Sequence, residues 1–123
     1  MVYVSNPIYF PTYEQGIKVV IGDTLKECCL ENILPWEEGE DEKMDAYCQQ
    51  VGEYIYIVLR KDNTRKVVLH ECIHAVDNMY ANISARMDVE NDEIYVRDVS
   101  HLQDIVLTMF EEHVNSGKNT KNS

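Results

Sequence analysis

Val68-Leu69-His70-Glu71-Cys72-Ile73-His74-Ala75-Val76-Asp77 is the stretch on which the fold turns, because it sets a His-Glu-x-x-His pattern inside an apolar periodicity. Val67, Val68, Leu69, Cys72, Ile73, Val76 and Met79 or Tyr80 recur at helical spacing, which predicts a helix from a cap at Asn63 or Thr64 to about Ala81. At ~3.6 residues per turn, residues four apart project from one side. His70, His74 and Asp77 then share a face, while Leu69, Cys72, Ile73 and Val76 supply the core stripe. Glu71 stands one position from His70, close enough to reach a water at the histidines without being a metal ligand. From this composition, chance matches to the pattern number on the order of 0.01. Imidazoles at this spacing on a helix bind Zn²⁺, which is the expected cofactor.

A catalytic zinc takes three protein ligands and keeps a fourth position for water. Glu93 is the expected third ligand, near the start of a final helix and with 18 residues between it and His74. It shares a helix face with Arg97, Ser100 and Asp104, away from most of the apolar positions. Asp92 and His101 compete for the role, and His101 would make the site all-nitrogen.

The elements outside this helix follow from shorter patterns. Residues 1–15 read as an irregular or edge-strand lead-in rich in Tyr and Pro. Ile17–Ile21 is a short strand closed by Gly22, and Asp23 or Thr24 caps a helix that Pro35 ends. An acidic run, Glu37 to Glu42, follows as a solvated loop or a contact surface for a basic partner. Met44–Gln50 and Glu53–Arg60 read as strands joined around Val51-Gly52. A loop over 82–88 leads to the last helix, from Val89 or Glu90 to about His113. The expected fold class is α+β: one domain over residues 1–115, a short, mostly antiparallel sheet packed against the His-Glu-x-x-His helix and the C-terminal helix. Residues 116–123 are expected to be a disordered polar tail.

Charge narrows the function classes. The 22 acidic and 11 basic residues give a net charge of −11, which argues against a general nucleic-acid binder and against an anionic membrane surface. No apolar run approaches the ~20 residues of a membrane span, and the N-terminus lacks the pattern of a secretory signal. Cys28, Cys29, Cys48 and Cys72 lack metal-knuckle spacing and are expected to be reduced thiols in a cytoplasmic protein, with a single bridge from Cys48 as the alternative.

The stretch from Val68 to Asp77, with Asn91-Asp92-Glu93 after it, resembles the zincin metallopeptidases of the gluzincin kind. In length and style the chain is similar to the small single-domain metallopeptidases that bacteriophages encode, and the specific part of the likeness covers residues 64–106. The resemblance implies a minimal zincin-like domain, a zinc held by His70, His74 and an acidic third ligand, and Glu71 as the general base of peptide-bond hydrolysis. It implies a peptide or protein substrate, laid as an added strand beside the metal, with the Glu53–Leu59 strand as the natural candidate. For a phage-encoded protein, the compartment would be the host cytoplasm. Two departures stand out. The His74-to-Glu93 spacing is one residue shorter than in thermolysin-like members, and there is no sequence for a second lobe. Arg97, Tyr95 and His101 are candidate oxyanion donors, and Asp77 or Asp98 a candidate acceptor for a ligand histidine's free ring N–H. Two other functions fit the sequence: a non-catalytic zincin scaffold that binds a host or regulatory protein, and an acidic mimic of nucleic acid.

Overall fold

The structure, a computed structural model, describes residues 2–39, 43–82 and 92–121, with backbone alone at 92 and 117–121. The expected 82–88 loop falls almost wholly outside these residues, as do positions 89–91 and the acidic 40–42.

Strand-forming runs and their turns produce a mixed α/β fold. A five-stranded, mostly antiparallel sheet contains β1 (Tyr3–Val4), β2 (Ile8–Phe10), β3 (Gln15–Gly22), β4 (Tyr47–Val51) and β5 (Tyr54–Arg60). Strands β1 and β2 both pair antiparallel with β3, β3 pairs parallel with β5, and β5 pairs antiparallel with β4. The long connection from β3 to β5, which carries helix α1 (Leu25–Glu31), lets the two pair in parallel, and they sit at the centre with β1 and β2 beside β3 and β4 beside β5. This architecture is compatible with the expected α+β class.

Alternation along the central strands sends apolar side chains to both faces. Ile17, Val19 and Ile21 join Ile55, Ile57 and Leu59 under α2 (Arg65–Asn82) and α3 (Asp92–Lys121). Val20 and Val58 face the other way, onto Leu25, Cys28 and Cys29 of α1. The approach of α1 is close: a Cβ on Gly22 would lie 2.6 Å from Cys28 Sγ. The two helices on the first face run antiparallel, tied by Gln103 Nε2 donating to the Leu69 carbonyl at 3.1 Å and by Arg65 beside Glu111.

Several expectations change in detail. The Glu53–Leu59 strand, expected to take an added strand, is interior: β5 is paired on both sides. Strand β4 is the edge, pairing with β5 alone among the described residues. The core stripe of α2 is rotated from the predicted one. Val68, Cys72, Ala75, Val76 and Met79 are buried, while Leu69 and Ile73 are half-buried, because α2 divides its apolar surface between the sheet and α3. The last helix continues past His113 to Lys121, through residues expected to form the tail, as no proline interrupts them. Thr24 rather than Asp23 caps α1, its Oγ1 accepting from Glu27 N, and Val67 N donates to Thr64 Oγ1 at the start of α2. All four cysteines are free thiols, and burial pushes Cys28, Cys48 and Cys72 up to about 12. No described helix is long and apolar enough to cross a membrane.

The end of α1 carries a local conflict. Leu34 N donates to Cys29 O and Ile33 N to Leu30 O, the paired bonds of a Schellman turn. That turn puts Ile33 at φ 55°, in the left-handed region where glycine is normal, although its side chain is 88% exposed. A branched side chain there costs roughly 1–2 kcal/mol and has little burial to set against it. We therefore expect Ile33→Gly to stabilise the protein by about 1 kcal/mol in urea unfolding. A destabilised variant would show that Ile33 makes contacts the fold needs.

Candidate metal centre

Helix α2 lies across the sheet beside edge strand β4, and its burial pattern builds the site. The stripe from Val68 to Met79 pins the helix, and Glu71 falls at the border of that stripe, only 8% exposed. His70 and His74, one position before it and three after, fall on the solvent side. One turn of helix thus supplies two exposed imidazoles over one buried carboxyl. Ligand atoms of these three residues all lie within 4.8 Å of one another, and they form the group able to hold a metal among the described residues.

The imidazoles converge. Their Nε2 atoms are 2.9 Å apart and their rings are perpendicular. Two nitrogens bound to one tetrahedral zinc at ~2.0–2.1 Å stand about 3.3 Å apart, so a small ring movement meets the geometry. The donor set is one that can hold a metal ion, and two imidazole nitrogens are of the ligand type that zinc takes.

Burial pushes the Glu71 carboxyl above its ordinary range, and the His74 and His70 rings offset part of that shift. The Cys48 thiol in β4 is raised chiefly by its own burial and further by the Glu71 charge, which places strand and carboxyl in one electrostatic neighbourhood. Asn78, the next residue of α2 toward β4, donates to Cys48 Sγ at 3.8 Å. Between strand and helix runs a cleft in two lobes that share Met44, Ala46 and Glu71. The lobe at His70 holds about 480 Å³ and the lobe at His74 about 500 Å³, each in the size range of ligand sites.

The remaining sequence-predicted residues take other positions. Asp77 lines the His74 lobe, where its Oδ1 accepts from Tyr95 Oη at 2.7 Å. That bond brings the first turns of α3 alongside the turn of α2 that follows His74. Glu93 is exposed on that part of α3 and is not grouped with the histidines; the side chain of Asp92 lies outside the described residues. Arg97 is exposed. His101 stands edge-on to Phe10, with ring centroids 5.9 Å apart, and is likewise outside the group.

Asp98 does not serve a histidine among the described residues. Its Oδ2 accepts from both Tyr13 and Tyr80 hydroxyls at 2.6 Å, and those hydroxyls lie 3.1 Å apart. Burial, with Asp98 adding to it, raises both phenols. The cluster fastens the turn before β3, α2 and α3 together, which is a structural role. Neither Tyr13 nor Tyr80 could be recognised from the sequence, since the contact spans 85 positions between Tyr13 and Asp98. The wall at Met44, Ala46 and Cys48 was equally hidden, because it depends on which strand is the edge.

Comparison with family models, with curated proteins and with solved structures gives no match to this chain.

Because the folded-state pKa of Glu71 is raised, its protonated form is favoured by folding. The associated stability is complete below the unfolded-state value of about 4.3 and is lost as pH rises through the folded-state value. In metal-free protein held in chelator, Glu71→Gln should therefore gain stability over the parent as pH rises from 4 to 8. Chemical denaturation at both pH values measures this, and a parent that gains on the variant with rising pH would contradict the burial of the charge.

Proposed function

We propose that this chain is a zinc-dependent metallopeptidase with a minimal zincin-like fold. One observation carries the reading: His70 and His74 bring their Nε2 atoms to 2.9 Å beside the buried, proton-avid carboxyl of Glu71, in a cleft whose other wall is β4, the edge strand among the described residues. Structural zinc sites are closed by four protein ligands, whereas a helix offering two imidazoles beside a cleft leaves room for a third ligand and a water. Glu93 is proposed as that third ligand, carried on the helix that the Asp77–Tyr95 bond holds next to the site.

When bound, zinc would lower the pKa of a coordinated water toward ~7 and polarise the substrate carbonyl. The protein's own residues do the rest. His70 and His74 hold and orient the ion. Glu71 accepts the proton released as water adds to the carbonyl carbon, then passes it to the amine nitrogen as the C–N bond breaks. The products are a carboxylic acid and an amine, and water is the only co-reactant. The raised proton affinity of Glu71 suits both halves of this transfer. Beyond Tyr47, the β4 backbone pairs with β5 alone among the described residues, and that edge is proposed to take the substrate as an added strand.

Glu71→Gln should retain zinc and lose roughly 10²–10⁴-fold in peptide hydrolysis, the usual contribution of a general base. Undiminished cleavage by that variant would remove Glu71 from the mechanism. Glu93→Gln should weaken zinc binding in a competition titration with a chromogenic chelator, while leaving the far-ultraviolet circular dichroism unchanged. Unaltered zinc affinity would exclude Glu93 as the ligand.

A further inference from the structure

The two lobes of the cleft differ in chemistry, and the difference defines a substrate. The lobe at His70 is walled by Met44, Ala46 and Val67, with Lys66 and Asp45 at its margin. Those two charges oppose one another, and Asp45 also lies 3.6 Å from Arg60. The lobe at His74 shares Met44, Ala46 and Glu71 with the first and adds Tyr47, Cys48, Gln49, Asp77 and Asn78; among the described residues that line it, His74 is the one basic side chain. Asp77 forms no ion pair among the described residues. Its hydrogen-bond donor, Tyr95 Oη, is neutral and occupies Oδ1, and Asp77 is exposed. The lobes thus share Met44, Ala46 and Glu71 and differ in what each adds. The His74 lobe adds a carboxylate with no ion pair among the described residues, beside Gln49 and Asn78. The His70 lobe adds Val67 with Lys66 and Asp45, whose charges oppose one another.

The charge of the whole chain acts in the same direction. At −11, it attracts cationic polypeptides toward the surface and repels acidic ones. We infer that the substrate is a polypeptide segment with a Lys or Arg side chain in the His74 lobe and an apolar side chain in the His70 lobe, on either side of the bond that is cut. This inference rests on the peptidase reading and adds the substrate class to it. Asp77 acts here as a specificity residue: its free Oδ2 meets the cation, while Tyr95 holds the carboxylate in place through Oδ1.

The test uses the full chain loaded with zinc and an equimolar decapeptide mixture, with cleavage products read by mass spectrometry. Cleavage sites should carry Lys or Arg on one side and an apolar residue on the other. For paired peptides that differ only in Lys against Met, Asp77→Asn should lower the kcat/KM ratio about tenfold, a moderate effect for the removal of one charge contact at ~4 Å. Asn retains an acceptor for Tyr95, so the local fold is preserved. Asp77→Lys should turn the preference toward Glu, and added salt should raise KM for the Lys peptide. Cleavage without a basic preference, or a Lys/Met ratio unmoved by Asp77→Asn, overturns the inference and leaves the peptidase reading standing. A protein that binds one zinc and cleaves none of the peptides overturns both.

Discussion

The burial of Glu71 against β4 is the constraint on which the site depends. A carboxyl does not enter an interior without cost, and here the packing of Val68, Cys72, Ala75, Val76 and Met79 on the sheet draws it in. The same rotation of α2 leaves His70 and His74 in solvent with their Nε2 atoms converging. If the helix turned far enough to free Glu71, it would unseat its core stripe, and if it turned the other way, it would bury the imidazoles. One packing arrangement therefore sets both the exposure of the donors and the proton affinity of the carboxyl between them.

Around that helix, the rest of the chain acts as a support. The parallel β3–β5 pair supplies a floor that is apolar on both faces, so α1 can pack beneath it while α2 and α3 cover the top. The Tyr13–Tyr80–Asp98 cluster and the Asp77–Tyr95 bond fix α3 against α2 at two heights. Both tie down the end of α2 that follows His74. The other end is held by Gln103 on the Leu69 carbonyl and by the Arg65–Glu111 contact. The free edge of the sheet stays beside the histidines because β4 has only one neighbour among the described residues.

Local signals were legible in the sequence, and long-range ones were not. The β-branched and aromatic run at 54–60 and the helix from Arg65 follow from neighbours in sequence and form as predicted, and the cap expected at Asp23 or Thr24 falls on Thr24. The convergence of His70, Glu71 and His74 was legible for the same reason, since one turn of helix contains them. The identity of the edge strand was not, because periodicity says which residues alternate but not which strand lies outermost. Asp98 illustrates the limit: its spacing from Glu93 invited a role beside a histidine, yet two tyrosines from distant elements hold it. The half-buried Leu69 and Ile73 show the same thing on a smaller scale, because a helix packed on two partners has a broader apolar surface than one stripe predicts. Likewise, the −11 charge argued against polyanionic partners from the outset, and Asp77 then stood out in the cleft as a carboxylate with no ion pair among the described residues.

The central claim is that the convergence of His70 and His74 is a zinc site. Diffraction from crystals of zinc-loaded protein, measured on both sides of the zinc absorption edge, tests it most directly. The account predicts one anomalous peak per chain, at ~2.0–2.1 Å from the Nε2 atoms of His70 and His74 and present only above the edge. A chain whose anomalous peak lies elsewhere, or whose two histidines carry none at full zinc loading, would contradict it.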